Sequence, residues 1–172
     1  MAVLRADGGF VKQIAVAASN PDVVYAVVDD NAGNAGISKS TDGGLTWSDA
    51  SSGIAIPFNL VGLTVDPTDP DRAWVGATNA VERTTNGGTL WTSPNTDLDG
   101  QFVEDVAGDP SDPDTLYAAT QNNGIYRNTN GGDTWKHKSS GIPSVDRDIR
   151  ALLIDPDHTS KVYAGALAGG LF

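Results

Sequence analysis

Short apolar segments alternate residue by residue with polar ones, and each alternation stops at Pro, Gly, Asp or Asn. Four such segments lie at 11–16, 60–65, 102–107 and 149–154. Each is followed by a second apolar run with an aromatic anchor: Val24-Tyr25-Ala26-Val27, Ala73-Trp74-Val75-Gly76, Leu116-Tyr117-Ala118-Ala119 and Val162-Tyr163-Ala164-Gly165. Proline turns join the two runs: Asn20-Pro21-Asp22, Asp69-Pro70-Asp71, Asp112-Pro113-Asp114 and Asp155-Pro156-Asp157. Period-two runs of this length, bounded by turn residues, predict strands rather than helices. No apolar stripe at helical spacing interrupts them.

The strand pattern is a repeat. Trp47, Trp91 and Trp135 lie 44 residues apart and close the same phrase. The copies read Ser40-Thr41-Asp42-Gly43-Gly44-Leu45-Thr46-Trp47, Thr84-Thr85-Asn86-Gly87-Gly88-Thr89-Leu90-Trp91 and Asn128-Thr129-Asn130-Gly131-Gly132-Asp133-Thr134-Trp135. A fixed period in this range marks stacked copies of one supersecondary unit. Each phrase predicts the turn between the third and fourth strands of a unit. The glycine pairs, ending in Gly44, Gly88 and Gly132, supply positive φ. Asp42, Asn86 and Asn130 accept hydrogen bonds from the turn backbone, and the Trp covers the turn. Asn at two of three positions argues for a structural role, because an amide caps a turn but carries no catalytic proton.

The units divide the chain into one repeat domain: 7–54, 55–98, 99–142 and an incomplete unit at 143–172. Asp7-Gly8-Gly9-Phe10-Val11 matches the junction Asp99-Gly100-Gln101-Phe102-Val103, which assigns 1–6 to the closing strand of a preceding or last blade. Four-stranded sheets in radial repetition predict an all-β fold, a β-propeller or partial propeller of about four blades. The fourth unit stops before its box, so residues 2–6 are expected to complete a blade, within one chain or across two. Exposed terminal strands point to self-association.

The phrase resembles the Asp-box, or bacterial neuraminidase repeat, found in sialidases, sortilin-type receptors, photosystem II assembly factors and xyloglucan-cleaving glycoside hydrolases. The first copy matches it in full, and the others keep both glycines and Trp. The opening Gly8-Gly9-Phe10-Val11-Lys12-Gln13-Ile14, then Pro21-Asp22-Val23-Val24-Tyr25-Ala26 and Asp29, looks most like the start of the xyloglucanase-type propeller. That resemblance implies a catalytic carboxyl at Asp29, or at Asp30 if the register slips. It also implies a second carboxyl from a second propeller, since glycoside hydrolysis takes two.

One departure from the repeat reinforces that region. The aromatic anchor and box Trp are 22 residues apart in the first unit, against 17 and 18 in the next two. The surplus falls in Asp29-Asp30-Asn31-Ala32-Gly33-Asn34-Ala35-Gly36, a polar loop on a sheet scaffold, where binding groups concentrate. Asp30, Asn31 and Asn34 are the ligand-binding candidates.

Composition narrows the partners. The 172 residues carry a net charge of −11, which disfavours nucleic acid and anionic membrane surfaces. The acids are 20 Asp and two Glu, and many Asp belong to the proline turns, read as rigid strand connections. There is no Cys, and His137 and His158 lack partners at ligand spacing, so neither a metal site nor a cofactor is expected. The recurring Tyr25, Trp74, Tyr117 and Tyr163 read as core, and the recurring Lys39, Arg83 and Arg127 as solvated strand residues. No signal peptide or membrane-length apolar run is present. The expectation is a non-catalytic module binding a glycan or protein, from an extracytoplasmic or secreted bacterial protein. The alternative is part of a polysaccharide-cleaving hydrolase that needs a second propeller for turnover.

Overall fold

The computed structural model describes residues 9–29, 34–54, 59–94 and 97–172. Among these, fifteen strands form four antiparallel meanders. Sheet 1 holds β1 (Phe10–Val16), β2 (Val24–Asp29), β3 (Ala35–Ser40) and β4 (Ser48–Asp49). Sheet 2 holds β5 (Val61–Val65), β6 (Ala73–Ala77), β7 (Ala80–Thr84) and β8 (Trp91–Thr92). Sheet 3 holds β9 (Val103–Asp109), β10 (Asp112–Thr120), β11 (Gly124–Asn128) and β12 (Lys136–His137). Sheet 4 has three strands, β13 (Ile149–Ile154), β14 (Val162–Ala166) and β15 (Gly170–Leu171). The sheets follow one another with first strands adjacent: β1 beside β5, β5 beside β9, β9 beside β13. This is the arrangement of a partial β-propeller. The expected closing strand at 1–6, with the junction residues Asp7 and Gly8, lies outside the described residues.

The turns form for the reasons their composition gives. Both glycines of every box have positive φ, for example 68° and 89° at Gly43 and Gly44. Asp42 Oδ1 accepts from Thr46 N at 2.8 Å, Asn86 Oδ1 from Leu90 N at 2.9 Å, and Asn130 Oδ1 from Thr134 N at 3.0 Å. The first box residue caps as well: Ser40 Oγ, Thr84 Oγ1 and Asn128 Oδ1 accept from the second glycine N–H. Asp and Asn thus do the same work. In the proline turns, Asp66 Oδ1 accepts from Thr68 and Asp69 N–H, and Asp109 Oδ1 from Ser111 N–H and Oγ–H. These carboxylates are occupied in holding their own loops.

The apolar core is layered between sheets. Tyr25, Val27 and Ile37 of sheet 1 meet Leu60, Leu63, Val75 and Trp91 of sheet 2. Trp74, Val81 and Leu98 of sheet 2 meet Val103, Val106, Leu116 and Trp135 of sheet 3. Ile125 and Ile142 of sheet 3 meet Ile149 and Ala164 of sheet 4.

This layering corrects three expectations. Trp91 and Trp135 do more than cover their own turns: each is buried in the layer shared with the preceding sheet, and Trp91 Nε1 donates to Ala50 O of sheet 1 at 2.6 Å. Trp47 has no described sheet before it. It folds onto its own turn, Nε1 donating to Gly44 O at 3.1 Å. The anchor aromatics are not uniformly core either. Tyr25 and Trp74 are buried, Tyr117 is partly so and Tyr163 is 41% exposed, because no described sheet follows sheet 4. Finally, Lys39 and Arg83 are clamps rather than solvated residues. Lys39 Nζ meets Asp71 Oδ1 of sheet 2 at 2.7 Å, while Arg83 Nη1 meets Asp133 Oδ1 of sheet 3 at 2.8 Å. Each lies directly across the ladder from its anchor, and Lys39 and Arg127 stack over the Tyr25 and Tyr117 rings.

Candidate functional site at the bulged first strands

Each first strand skips one residue, near its start, in its pairing with the second strand. The residues at the slips are Lys12, Gly62, Glu104 and Arg150. A bulge leaves one residue out of the ladder and re-aims its side chain. Three of the four bulges carry a charge. Lys12 Nζ lies 3.1 Å from Asp29 Oδ2. Arg150 Nη1 donates to Glu104 Oε1 at 2.9 Å across sheets 3 and 4, and Arg150 Nε lies 2.7 Å from Asp148 Oδ1. The fourth bulge is Gly62, with φ 60°; a Cβ there would run into the backbone of Asp105 and Val106, so sheets 2 and 3 touch at the main chain.

After two of the bulges, the next residue's side chain ties neighbouring sheets together. Gln13 Oε1 accepts from Leu63 N at 3.0 Å, joining sheet 1 to sheet 2. Asp105 Oδ2 accepts from Leu152 N at 2.8 Å, joining sheet 3 to sheet 4. Burial pushes the Asp105 carboxyl up from its ordinary range, against the pull of two backbone N–H donors. The Asp42 carboxyl goes the other way, down to about 2, through the Thr46 hydroxyl, the Thr46 N–H and the Ser40 hydroxyl.

Of the sequence candidates, Asp29 is a strand residue, not a loop residue. It ends β2, pairs in register with Phe10 and Ala35, and is 6% exposed. The apolar run that starts at Val24 leads into it, and the ladder continues through it. Asn34 is exposed, immediately before β3. Asp30 and Asn31 lie outside the described residues. Residues at the Asp29 position of the other sheets are Thr78, Gln121 and Leu167, none acidic. The bulge row Lys12, Glu104 and Arg150 escaped the sequence reading. Its signal was there, a charged residue directly after Val11, Val103 and Ile149 at the head of three first strands. The box residues Asp42, Asn86 and Asn130 stay in their turns. Among the described residues no cluster of His, Asp and Glu is arranged to hold a metal ion.

The site therefore offers a buried, ion-paired carboxylate and a second charged cluster on the bulged strands. Such groups donate and accept several hydrogen bonds without a cofactor. No family model matches the chain. It is 30% identical over 166 residues to the xyloglucanase Xgh74A of Acetivibrio thermocellus, an alignment covering 73% of this chain and 19% of that protein. A Paenibacillus xyloglucanase is 28% identical over 167 residues, covering 80% of this chain and 15% of the relative. The chain thus spans less than a fifth of the length of these relatives. The GH74 enzyme of Niastella koreensis superposes with a TM-score of 0.72 and 25% identity, over 92% of this chain and 26% of that one. The fold is that of propeller enzymes, and the sequence is similar to part of xyloglucan-cleaving glycoside hydrolases.

Proposed function

We propose that this chain is a glycan-binding propeller module of the xyloglucanase type, which binds a xyloglucan-like β-glucan and does not cleave it alone. The observation that carries the reading is Asp29. It is buried and ion-paired at the end of β2, on the sheet whose sequence most resembles the start of the xyloglucanase propeller. The similarity to two xyloglucanases supports the same substrate class. Glycoside hydrolysis takes two carboxyl groups flanking one bond, roughly 5–10 Å apart depending on stereochemistry. In this reading the chain contributes one of them and a partner propeller the other, in an extracytoplasmic setting where polysaccharide is available. The Lys12–Asp29 pair and the Glu104–Arg150–Asp148 cluster supply polar contacts to sugar hydroxyls.

Affinity electrophoresis in gels containing xyloglucan tests this. Wild type is expected to be retarded, Asp29→Asn and Arg150→Ala less so, and no reducing ends should appear in a parallel assay. Unretarded wild type would sink the glycan reading. Reducing ends released by wild type and abolished in Asp29→Asn would show that the chain is a catalyst by itself.

A further inference from the structure

Asp-Gly and Asn-Gly pairs recur along the chain, and all share one reactivity: the glycine nitrogen can attack the side-chain carbonyl carbon of the residue before it. The fold treats them differently. Asp7-Gly8 lies outside the described residues. In four others the glycine N–H is tied: Gly43 N donates to Asp22 O at 2.9 Å, Gly87 N to Asp71 O at 2.8 Å, Gly124 N to Arg147 O at 2.8 Å and Gly131 N to Asp114 O at 3.0 Å. The side chains before them are tied as well. Asp42, Asn86 and Asn130 cap their boxes, and Asn123 Nδ2 donates to Tyr126 OH at 2.6 Å. With both reacting groups held by other partners, ring closure has to wait for local opening.

Asp99-Gly100 is the exception. It is the middle of a β-turn from Leu98 to Gln101, closed by Gln101 N donating to Leu98 O at 2.9 Å, with Gly100 at φ 76°. The N–H between the two central residues of such a turn takes no part in its closing bond. Among the described residues Gly100 N donates to nothing, and the exposed Asp99 carboxyl has neither a hydrogen bond nor an ion pair. A Cβ built at Gly100 would meet nothing within 4 Å, so a new ring has room. The turn is anchored on both sides. Leu98 is buried between sheets 2 and 3, Asp97 Oδ2 accepts from Trp135 N at 2.8 Å, and Gln101 O accepts from Asn79 N at 2.7 Å.

We propose that Asp99 is a site of spontaneous isoaspartate formation, set in the turn that joins sheets 2 and 3. The Gly100 nitrogen loses its proton and bonds to Asp99 Cγ. The carboxyl C–O bond breaks, water leaves, and a five-membered succinimide results. Water then opens the ring. Addition at the former side-chain carbonyl restores aspartate. Addition at the backbone carbonyl routes the main chain through Cβ and Cγ. One water leaves and one enters, so the step needs no oxidant and leaves the mass unchanged. The product adds a methylene to the main chain between Leu98 and Gln101, lengthening the turn that those two anchors span. This proposal is independent of the glycan reading.

The folded chain, incubated in warm neutral buffer and digested, is read by electron-transfer fragmentation, which gives isoaspartate a diagnostic Cα–Cβ cleavage. Isoaspartate is expected at Asp99 and not at Asp42. The decisive arm is Asp99→Asn, an exposed change whose folding circular dichroism checks. It sets four Asn-Gly pairs side by side, each reporting by the mass gained when amide becomes acid. In the folded variant position 99 should convert faster than Asn86, Asn123 and Asn130 by about tenfold or more, the factor that about 1.4 kcal/mol of local opening imposes. In denaturant the four rates should converge. Conversion at 99 no faster than at the other three in the folded variant would overturn the proposal. So would a lead that persists undiminished in denaturant, or wild type without isoaspartate at Asp99 after a time in which the denatured chain has formed it.

Discussion

Trp91→Ala isolates what a box tryptophan contributes. Its indole is fully buried between sheets 1 and 2, against Tyr25, Ile37, Leu60 and Val75. Truncating a buried Trp to Ala costs about 3–5 kcal/mol in transfer and cavity terms. The change also strips Ala50 O of its indole donor at 2.6 Å, which adds about 1–3 kcal/mol where water does not replace it. For a chain of this size the first term alone lowers Tm by roughly 6–20 °C. Trp47→Ala is the control. The same residue type in the same phrase covers only its own turn, so in the monomer it should cost about 1 kcal/mol or less. Denaturant melts of both give the comparison. Equal losses at the two positions would refute the argument, because the tryptophan would then be stabilising its turn and not the layer between sheets.

Trp135 is buried in the next layer, but its Nε1 has no hydrogen-bond partner, so Trp135→Phe should cost about 1–3 kcal/mol less than Trp91→Phe in parallel melts. Gly62→Ala should cost several times the roughly 1 kcal/mol of Gly100→Ala: both have positive φ, but a Cβ at 62 meets the sheet 3 backbone and one at 100 meets nothing within 4 Å. Asp42→Asn should cost little at pH 7, since Asn86 and Asn130 accept the matching backbone N–H in their own turns, the loss being that of the Thr46 hydroxyl's bond to the carboxylate; in the wild type the Asp42 carboxyl should titrate by NMR with a midpoint about 2. Because that folded value is depressed, the stability it contributes is present above the unfolded value of about 3.9 and lost as pH falls through about 2. Asp105 has the opposite sign. Its raised folded value makes its contribution fall as pH rises above about 3.9, so the stability difference between wild type and Asp105→Asn should shift toward the wild type on acidification; a flat difference would remove the burial argument.

The local structure was legible because its causes are local. Gly-Gly after Asp or Asn writes the turn, alternation writes the strand, and the internal repeat pointed to Asp42 as a turn cap. What crosses from sheet to sheet was harder, since one repeat's residue is explained only by the next repeat. Tyr25 and Tyr163 read alike in sequence, yet one is buried and the other open, and the difference is whether another described sheet packs on that face. Lys39, Arg83 and Arg127 looked like solvent-facing cations for the same reason. Their regular place opposite an aromatic on the neighbouring strand was the clue: Lys39 and Arg127 stack on that ring, and Lys39 and Arg83 reach over the layer. The bulge row was missed because a register slip is invisible in a period-two pattern: Lys12, Glu104 and Arg150 each read as the polar member of an alternation. That slip lets a charged side chain leave the ladder where Asp29 ends β2. The chemistry proposed for this chain thus rests on the element that the repeat specifies least, while the boxes that announce the fold are occupied in holding it.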